Sequence, residues 1–321
     1  MTEESKIQNP KSKIAYIFPG QGSQAVGMGK DLYDNFPAAR SVFEEADDAL
    51  GFKLSEMCFT AGTAEDLALT ANTQPAILTV SIAAFRAMET VNFAAPDFVA
   101  GHSLGEYSAL VAANALSFSD AVKTVRKRGT YMQEAVPVGT GAMAAILGLD
   151  LETIEDVCRE AADEQVCSPA NINSPSQTVI AGNTEAIDRA MELLKERGAK
   201  RAIKLNVSAP FHCALMLPAQ EKLARDLREI KFSDLSVPIV ENVSARENSN
   251  GGRVGEALTE QVSKPVRWAQ SIENLIGNGV ETFVEVGAGK ILSGLVKQIN
   301  RDVRCLNVED SDSLRNTLET L

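Results

Sequence analysis

Short apolar runs alternate with helical periodicities along most of the chain. Ile14-Ala15-Tyr16-Ile17-Phe18 and Asp97-Phe98-Val99-Ala100 read as strands: they are brief, almost wholly apolar and bounded by Pro or Gly, as strands covered on both faces are. Helical patterns follow the first strand at 36–50, where Gly51 closes the helix, and then at 63–70 and 74–92. A further helix runs from a cap at Ser119 to residue 135. Between 142 and 207 the rhythm changes. Strand 142–147, helix 151–162, strands 166–171 and 178–181 around the turn Ser174-Pro175-Ser176, helix 184–197 closed by Gly198, and strand 202–207 follow in the order βαββαβ. That order is the signature of a ferredoxin-like unit. Beyond it come helix 217–230, strand 237–240, helices 255–263 and 268–278, strand 282–286, helix 290–300, strand 303–307 and a terminal helix.

Strands regularly separated by helices predict an α/β fold with a mostly parallel sheet covered on both faces. The expected division is a large α/β domain from 14–139 and 208–321, with a small ferredoxin-like domain, 140–207, inserted into it. Residues 1–13 are polar, lack the apolar core of a secretion signal, and are expected to form a disordered tail.

Composition narrows the class of function. The 321 residues carry 31 basic and 43 acidic side chains, a net charge of −12, with no basic tract, which argues against nucleic acid as a partner. No apolar stretch reaches membrane-spanning length. The five cysteines, Cys58, Cys158, Cys167, Cys213 and Cys305, are scattered without a C-x-x-C spacing, so neither a disulfide frame nor a zinc site is indicated. A reducing, cytoplasmic setting is the expectation, or an organelle matrix for a processed chain. No unmatched apolar helix face stands out, which predicts a monomer.

The chemistry concentrates in Gly101-His102-Ser103-Leu104-Gly105, a G-x-S-x-G pattern between a predicted strand and a predicted helix. At such an elbow one glycine lets the backbone take a strained turn and the other lets helix and strand approach closely, and the serine lies at a helix N-terminus. A nucleophilic serine needs a base, and histidine serves best near neutral pH. The chain has only two histidines. His102 adjoins the serine and points away from its hydroxyl, into the body of the fold, so His212 is the remaining candidate partner of Ser103. The glycine-rich loop Pro19-Gly20-Gln21-Gly22-Ser23-Gln24 lacks the lysine of a phosphate-binding loop and the full dinucleotide spacing. Its expected use is to bring backbone and the Gln21 amide close to another group.

Taken in order, Phe18 to Gln24, Thr73-Gln74-Pro75-Ala76, Gly101 to Leu110, Met132-Gln133-Glu134-Ala135, Pro210 to Met216 and Val284 to Gly287 resemble the malonyl-CoA:acyl carrier protein transacylases over nearly the whole chain. The resemblance implies a hydrolase-like large domain and a ferredoxin-like small one. It implies Ser103 as nucleophile and His212 as general base and acid, with Gln21 and the Leu104 N–H as oxyanion hole. It further implies that Arg128 holds the free carboxylate of malonate and that the Gln261 main-chain carbonyl orients the histidine in place of an acid. No cofactor is implied. Phe211, where the family often has a small residue, is expected to disfavour branched acyl groups. The implied partners are malonyl-CoA and acyl carrier protein. Both are anionic, so docking calls for a local basic patch; the candidates are Lys123, Arg126 and Lys127, and Lys195, Arg197, Lys200, Arg201 and Lys204. The competing readings are a serine esterase or thioesterase with water as acceptor, a carrier-protein scaffold with a dead site, and an acyltransferase serving polyketide assembly.

Overall fold

The computed structural model describes residues 12–207 and 209–321. In chain order the elements are β1 (Lys13–Phe18), α1 (Lys30–Asn35), α2 (Pro37–Leu50), α3 (Leu54–Phe59), α4 (Ala64–Ala68), α5 (Thr70–Glu89), β2 (Phe98–Gly101), α6 (Gly105–Ala112) and α7 (Phe118–Glu134). Next come β3 (Gly141–Leu147), α8 (Leu151–Ala162), β4 (Cys167–Ser174), β5 (Gln177–Asn183), α9 (Thr184–Glu196) and β6 (Arg201–Lys204). The chain ends with α10 (Leu217–Arg228), β7 (Ile239–Val240), β8 (Glu247–Asn248), α11 (Gly251–Gln261), α12 (Trp268–Gly277), β9 (Val280–Val286), α13 (Ile291–Ile299), β10 (Arg304–Val308) and α14 (Ser311–Thr320).

One sheet runs in the order β10-β9-β1-β2-β7-β8, parallel throughout except for the short edge pair β7–β8. The period of two along β1 divides the molecule. Ile14, Tyr16 and Phe18 enter the larger core, under α2, α5, α6 and α7, while Ala15 and Ile17 enter a second core with Trp268, Ile272 and Leu295. β1, β2 and β9 are neighbours whose carboxyl ends open onto the same side, where open α/β sheets place their ligands. At the β9 end, the wholly buried Glu285 accepts the N–H groups of Leu292 (3.0 Å) and Ser293 (2.7 Å), fixing the start of α13.

The second sheet is antiparallel, in the order β4-β5-β3-β6, with α8 and α9 over a separate small core. Main-chain bonds join it to the rest of the chain: Ile172 N–H donates to the Val266 carbonyl and Val266 N–H to that of Ala170, both at 2.9 Å. β4 is therefore tied to the segment that follows Gln261.

The expected tail falls, except for its last two residues, outside the described residues, and Lys13 already pairs with Val280 in β1. The cap of α7 is Ser117, whose hydroxyl accepts the Asp120 N–H, and not Ser119. α5 starts at Thr70, four residues before the expected point, so that Pro75 sits inside it. Asn72 and Thr73 secure that early turn through the carbonyls of Asp66, Leu67 and Leu69. β6 ends at Lys204, short of the expected Val207.

Close approach at the elbow rests on absent side chains. A Cβ at Gly105 would overlap the Phe18 carbonyl, and one at Gly101 the Gly105 backbone. Gly105→Ala is expected to cost about 1–3 kcal/mol in urea unfolding. Gly294→Ala, inside α13 with no atom within 4 Å of the added carbon, is expected to gain about 0.5–1 kcal/mol. Equal responses would remove close approach as the cause.

Candidate active site

β2 delivers the chain into a turn at Gly101, and α6 leaves it at Gly105. Ser103, between them, has φ 51°, a left-handed conformation that non-glycine residues rarely adopt. Two side chains hold it there. Asn242 Oδ1 accepts the Ser103 N–H (2.7 Å) while Asn242 Nδ2 donates to the Gly101 carbonyl (2.7 Å). Gln261 Nε2 donates to the Ser103 carbonyl (2.9 Å). The Leu104 N–H, next after the serine, meets no acceptor among the described residues and remains available at the start of α6.

His212 lies in the loop after β6 at φ 59°, so the second key residue is also left-handed. Its Nδ1 is 2.7 Å from the Gln261 carbonyl oxygen and its Nε2 is 2.7 Å from Ser103 Oγ. A carbonyl only accepts, so Nδ1 carries the hydrogen and Nε2 presents its lone pair to the seryl O–H. His212 is 3 % exposed, and burial, with the Arg128 charge second, pushes its pKa down to about 3 from the ordinary 6.5. His102 turns away from Ser103: its Nε2–H donates to Asn173 Oδ1 on β4 (2.9 Å) and its ring meets Trp268 edge-on.

Arg128 is 1 % exposed. NH1 donates to Gln74 Oε1 (2.7 Å), and NH2 to Gln261 Oε1 (2.9 Å) and Ser103 Oγ (3.1 Å), with the Tyr107 ring below the guanidinium. Helical periodicity explains why one residue of a basic run is buried: Lys127, its neighbour, faces outward to Asp226 (2.8 Å). Arg126 is half-buried against Asn72 and the Phe52 ring.

Ser103, His212, Arg128, Gln21, Leu104 and Phe211 line one cleft of about 500 Å³ between the two sheets. Gln261 underlies it rather than lining it. Gln21 is exposed at the cleft edge, where one N–H of its amide faces Thr70 Oγ1 (3.2 Å). Asn171, Asn173, Gln177 and Val179 supply the opposite wall from the antiparallel sheet. Sequence reasoning missed Gln74, Glu106 and Asn242. Glu106 is 2 % exposed; its Oε2 accepts from Gln261 Nε2 (2.6 Å) and Asn242 N–H (3.3 Å), and burial pushes its pKa up to about 8. Its position beside the elbow was the one available signal; Asn242 carried none.

The acyl transferase domain profile matches residues 15–312. A malonyl CoA-acyl carrier protein transacylase of Bacillus subtilis is 52% identical over 97% of this chain and 98% of its own. One of Escherichia coli K12 is 51% identical over 90% and 93%. Among solved structures, the malonyl CoA-acyl carrier protein transacylase of Coxiella burnetii superposes with a TM-score of 0.94 at 43% identity, covering 97% of this chain and 98% of that one. A malonyl-transacylase in complex with a type II PKS acyl-carrier protein also gives 0.94, at 45% identity over 97% and 100%.

The low pKa of His212 sets a pH dependence. Its folded value lies below the unfolded one, so the stability it contributes is present above pH 6.5 and lost as pH falls towards 3. The same neutrality keeps Nε2 able to take a proton in mild acid. Inactivation by a neutral sulfonyl fluoride is expected to keep its rate from pH 7 down to pH 5. In Arg128→Met the acid limb should move upward, because a positive neighbour has been removed. An acid limb at pH 6.5 in the unaltered protein would contradict the neutral, buried histidine.

Proposed function

The chain belongs to the acyl transferase domain family, and from that premise we propose that it transfers the malonyl group of malonyl-CoA to the pantetheine thiol of acyl carrier protein, supplying fatty-acid synthesis. The observation that carries the reading is a wholly buried guanidinium 3.1 Å from an elbow serine that is itself 2.7 Å from a histidine. A general esterase has no use for that buried cation, whereas a diacid thioester does.

In the proposed mechanism Ser103 Oγ attacks the thioester carbonyl as His212 Nε2 takes its proton. The oxyanion is received by the Leu104 N–H and Gln21. The C–S bond breaks, His212 returns the proton to the CoA sulfur, and a malonyl-seryl ester remains. The carrier-protein thiol then attacks that ester, gives its proton to His212, and Ser103 recovers it. The two half-reactions are ping-pong. The Gln261 carbonyl holds the imidazole tautomer throughout. Arg128 receives the malonyl carboxylate through charge-assisted bonds. Phe211, 8 % exposed on the cleft wall, is assigned to the exclusion of branched acyl groups.

The domain reading goes with this one: a hydrolase-like unit from 14–139 and 208–321 and a ferredoxin-like unit from 140–207, in a monomeric, cytoplasmic enzyme. Docking of acyl carrier protein is assigned to Lys200 and Arg201, which have no acidic partner among the described residues, whereas Lys204 and Arg197 pair with Asp188 and Glu160. A polyketide carrier as acceptor is the second reading, supported by the similar malonyl-transacylase seen with a type II PKS carrier protein.

Incubation with malonyl-CoA alone is expected to add one malonyl group to the intact mass, and none to Ser103→Ala. Steady CoA release without an adduct would identify a hydrolase instead. Arg128→Ala should lose malonyl transfer by about 10²-fold or more, as loss of a buried charge partner costs about 2–5 kcal/mol, while acetyl transfer persists. Equal losses would refute the carboxylate role. Charge reversal at Lys200 and Arg201 should raise the carrier-protein KM and leave exchange between CoA thioesters intact; an unchanged KM would place docking elsewhere.

A further inference from the structure

We propose that Glu106 is the buried counter-ion of Arg128, joined to it through the Gln261 carboxamide, and that it takes up a proton when the substrate carboxylate docks on the guanidinium. The proposal rests on the assignment of Arg128 to the malonyl carboxylate.

The geometry is a chain of three groups. Arg128 NH2 donates to Gln261 Oε1 (2.9 Å), and Gln261 Nε2 donates to Glu106 Oε2 (2.6 Å). The amide orientation is not arbitrary: its nitrogen side also faces the Ser103 carbonyl (2.9 Å), which can only accept. The amide dipole therefore aligns with a cation at one end and, when Glu106 is ionised, an anion at the other. Arg128 and Glu106 are 1 % and 2 % exposed, so neither charge is relieved by water.

The charged groups facing Glu106 are Arg128, from α7, and Glu241, just beyond β7. The first favours its anion and the second disfavours it. Tyr107 on the same helix and His212 across the cleft stay neutral, the phenol pushed up and the imidazole pushed down by burial. The site thus holds one fixed cation and one acid whose charge burial opposes. With that acid near 8, Glu106 is partly ionised in weakly alkaline solution.

A malonyl group brings a second carboxylate to the same guanidinium. Two buried carboxylates near one cation raise each other's pKa, and the substrate, in direct contact, keeps its charge. Glu106 then binds a proton from solvent, and the only bond formed is its O–H. An acetyl group has no charge and leaves Glu106 as it was. By linkage, a ligand that raises an acid's pKa binds more weakly once pH exceeds the free value, about tenfold per unit. This gives the site a selectivity between malonyl and acetyl that falls with rising pH.

The test follows acylation of Ser103 at low thioester concentration from pH 6.5 to 9.5, by quenched intact mass, with malonyl-CoA and with acetyl-CoA. The expected result is a malonyl rate constant that falls about tenfold per unit above pH 8 while the acetyl rate constant does not, and loss of that fall in Glu106→Gln. A malonyl-to-acetyl ratio constant with pH, or a fall retained in Glu106→Gln, overturns the proposal. Should that variant not fold, proton uptake by the unaltered enzyme decides. In weak buffer at pH 8.5 and without carrier protein, stoichiometric acylation of Ser103 by malonyl-CoA should consume protons, up to about one per enzyme, beyond acylation by acetyl-CoA, because the released CoA thiol contributes equally to both; no difference overturns the proposal. Absence of any malonyl adduct at every pH withdraws the parent reading and this proposal together, whereas adducts with parallel pH profiles remove this one alone.

Discussion

The two faces of Gln261 govern the site. Its main-chain carbonyl orients His212, and its side chain touches Arg128, the Ser103 carbonyl and Glu106. Using a carbonyl to orient the histidine has an electrostatic reason. A carboxylate in that place would stand beside a buried guanidinium and would pair with it, since desolvated opposite charges attract strongly. A carbonyl dipole fixes the tautomer without cancelling the cation. The imidazole accordingly stays neutral beside a positive charge, and the cation stays available.

That arrangement demands backbone conformations that the chain does not choose freely. Ser103 and His212 both sit at positive φ, at a cost of order 1–3 kcal/mol each. Such conformations persist where surrounding structure over-determines them. At Ser103 this is done by Asn242 and Gln261 on the backbone and by the methyl-free contacts of Gly101 and Gly105. At His212 the ring is held at both nitrogens. The cleft wall is secured as well, because β4 is tied by main-chain bonds to Val266, a few residues beyond Gln261. The small sheet's face and the histidine's anchor are thus parts of one continuous backbone connection.

What the sequence disclosed follows from the range of each interaction. The alternation of strands and helices is local, and the mostly parallel sheet was legible from it. Ser103 and His212 were legible by spacing and scarcity. Their 2.7 Å contact spans 109 positions, yet only one histidine was free to make it. Arg128 was not legible from its surroundings, since a basic run on a helix reads as a solvated face; only the resemblance singled it out. Glu106, Gln74 and Asn242 escaped because they act through partners far along the chain, as Asn242 does across 139 positions to Ser103. Boundaries slipped where side chains competed for backbone groups: Ser117 displaced Ser119 as a cap, and Asn72 and Thr73 carried the start of α5 back to Thr70, ahead of the expected 74.

Selectivity for a short diacid can be argued from occupancy of the guanidinium. Arginine offers five N–H donors. Two amide oxygens and Ser103 Oγ engage NH1 and NH2, and Nε meets no acceptor among the described residues. The cation is thus positioned but incompletely satisfied, which suits the proposed docking of a carboxylate on it. The bond from NH2 to Ser103 Oγ also sets a length. A substrate that places its carboxylate on the guanidinium and its thioester carbon at Oγ has room for little between them, since the two protein atoms are 3.1 Å apart. If Arg128 takes the carboxylate as proposed, that short spacing favours malonyl, with its single methylene. A longer diacid must either buckle or lift its carboxylate off the cation, and a monoacid leaves buried donors unpaired. On that proposal, the bond between the guanidinium and Ser103 Oγ also limits the length of what the serine attacks.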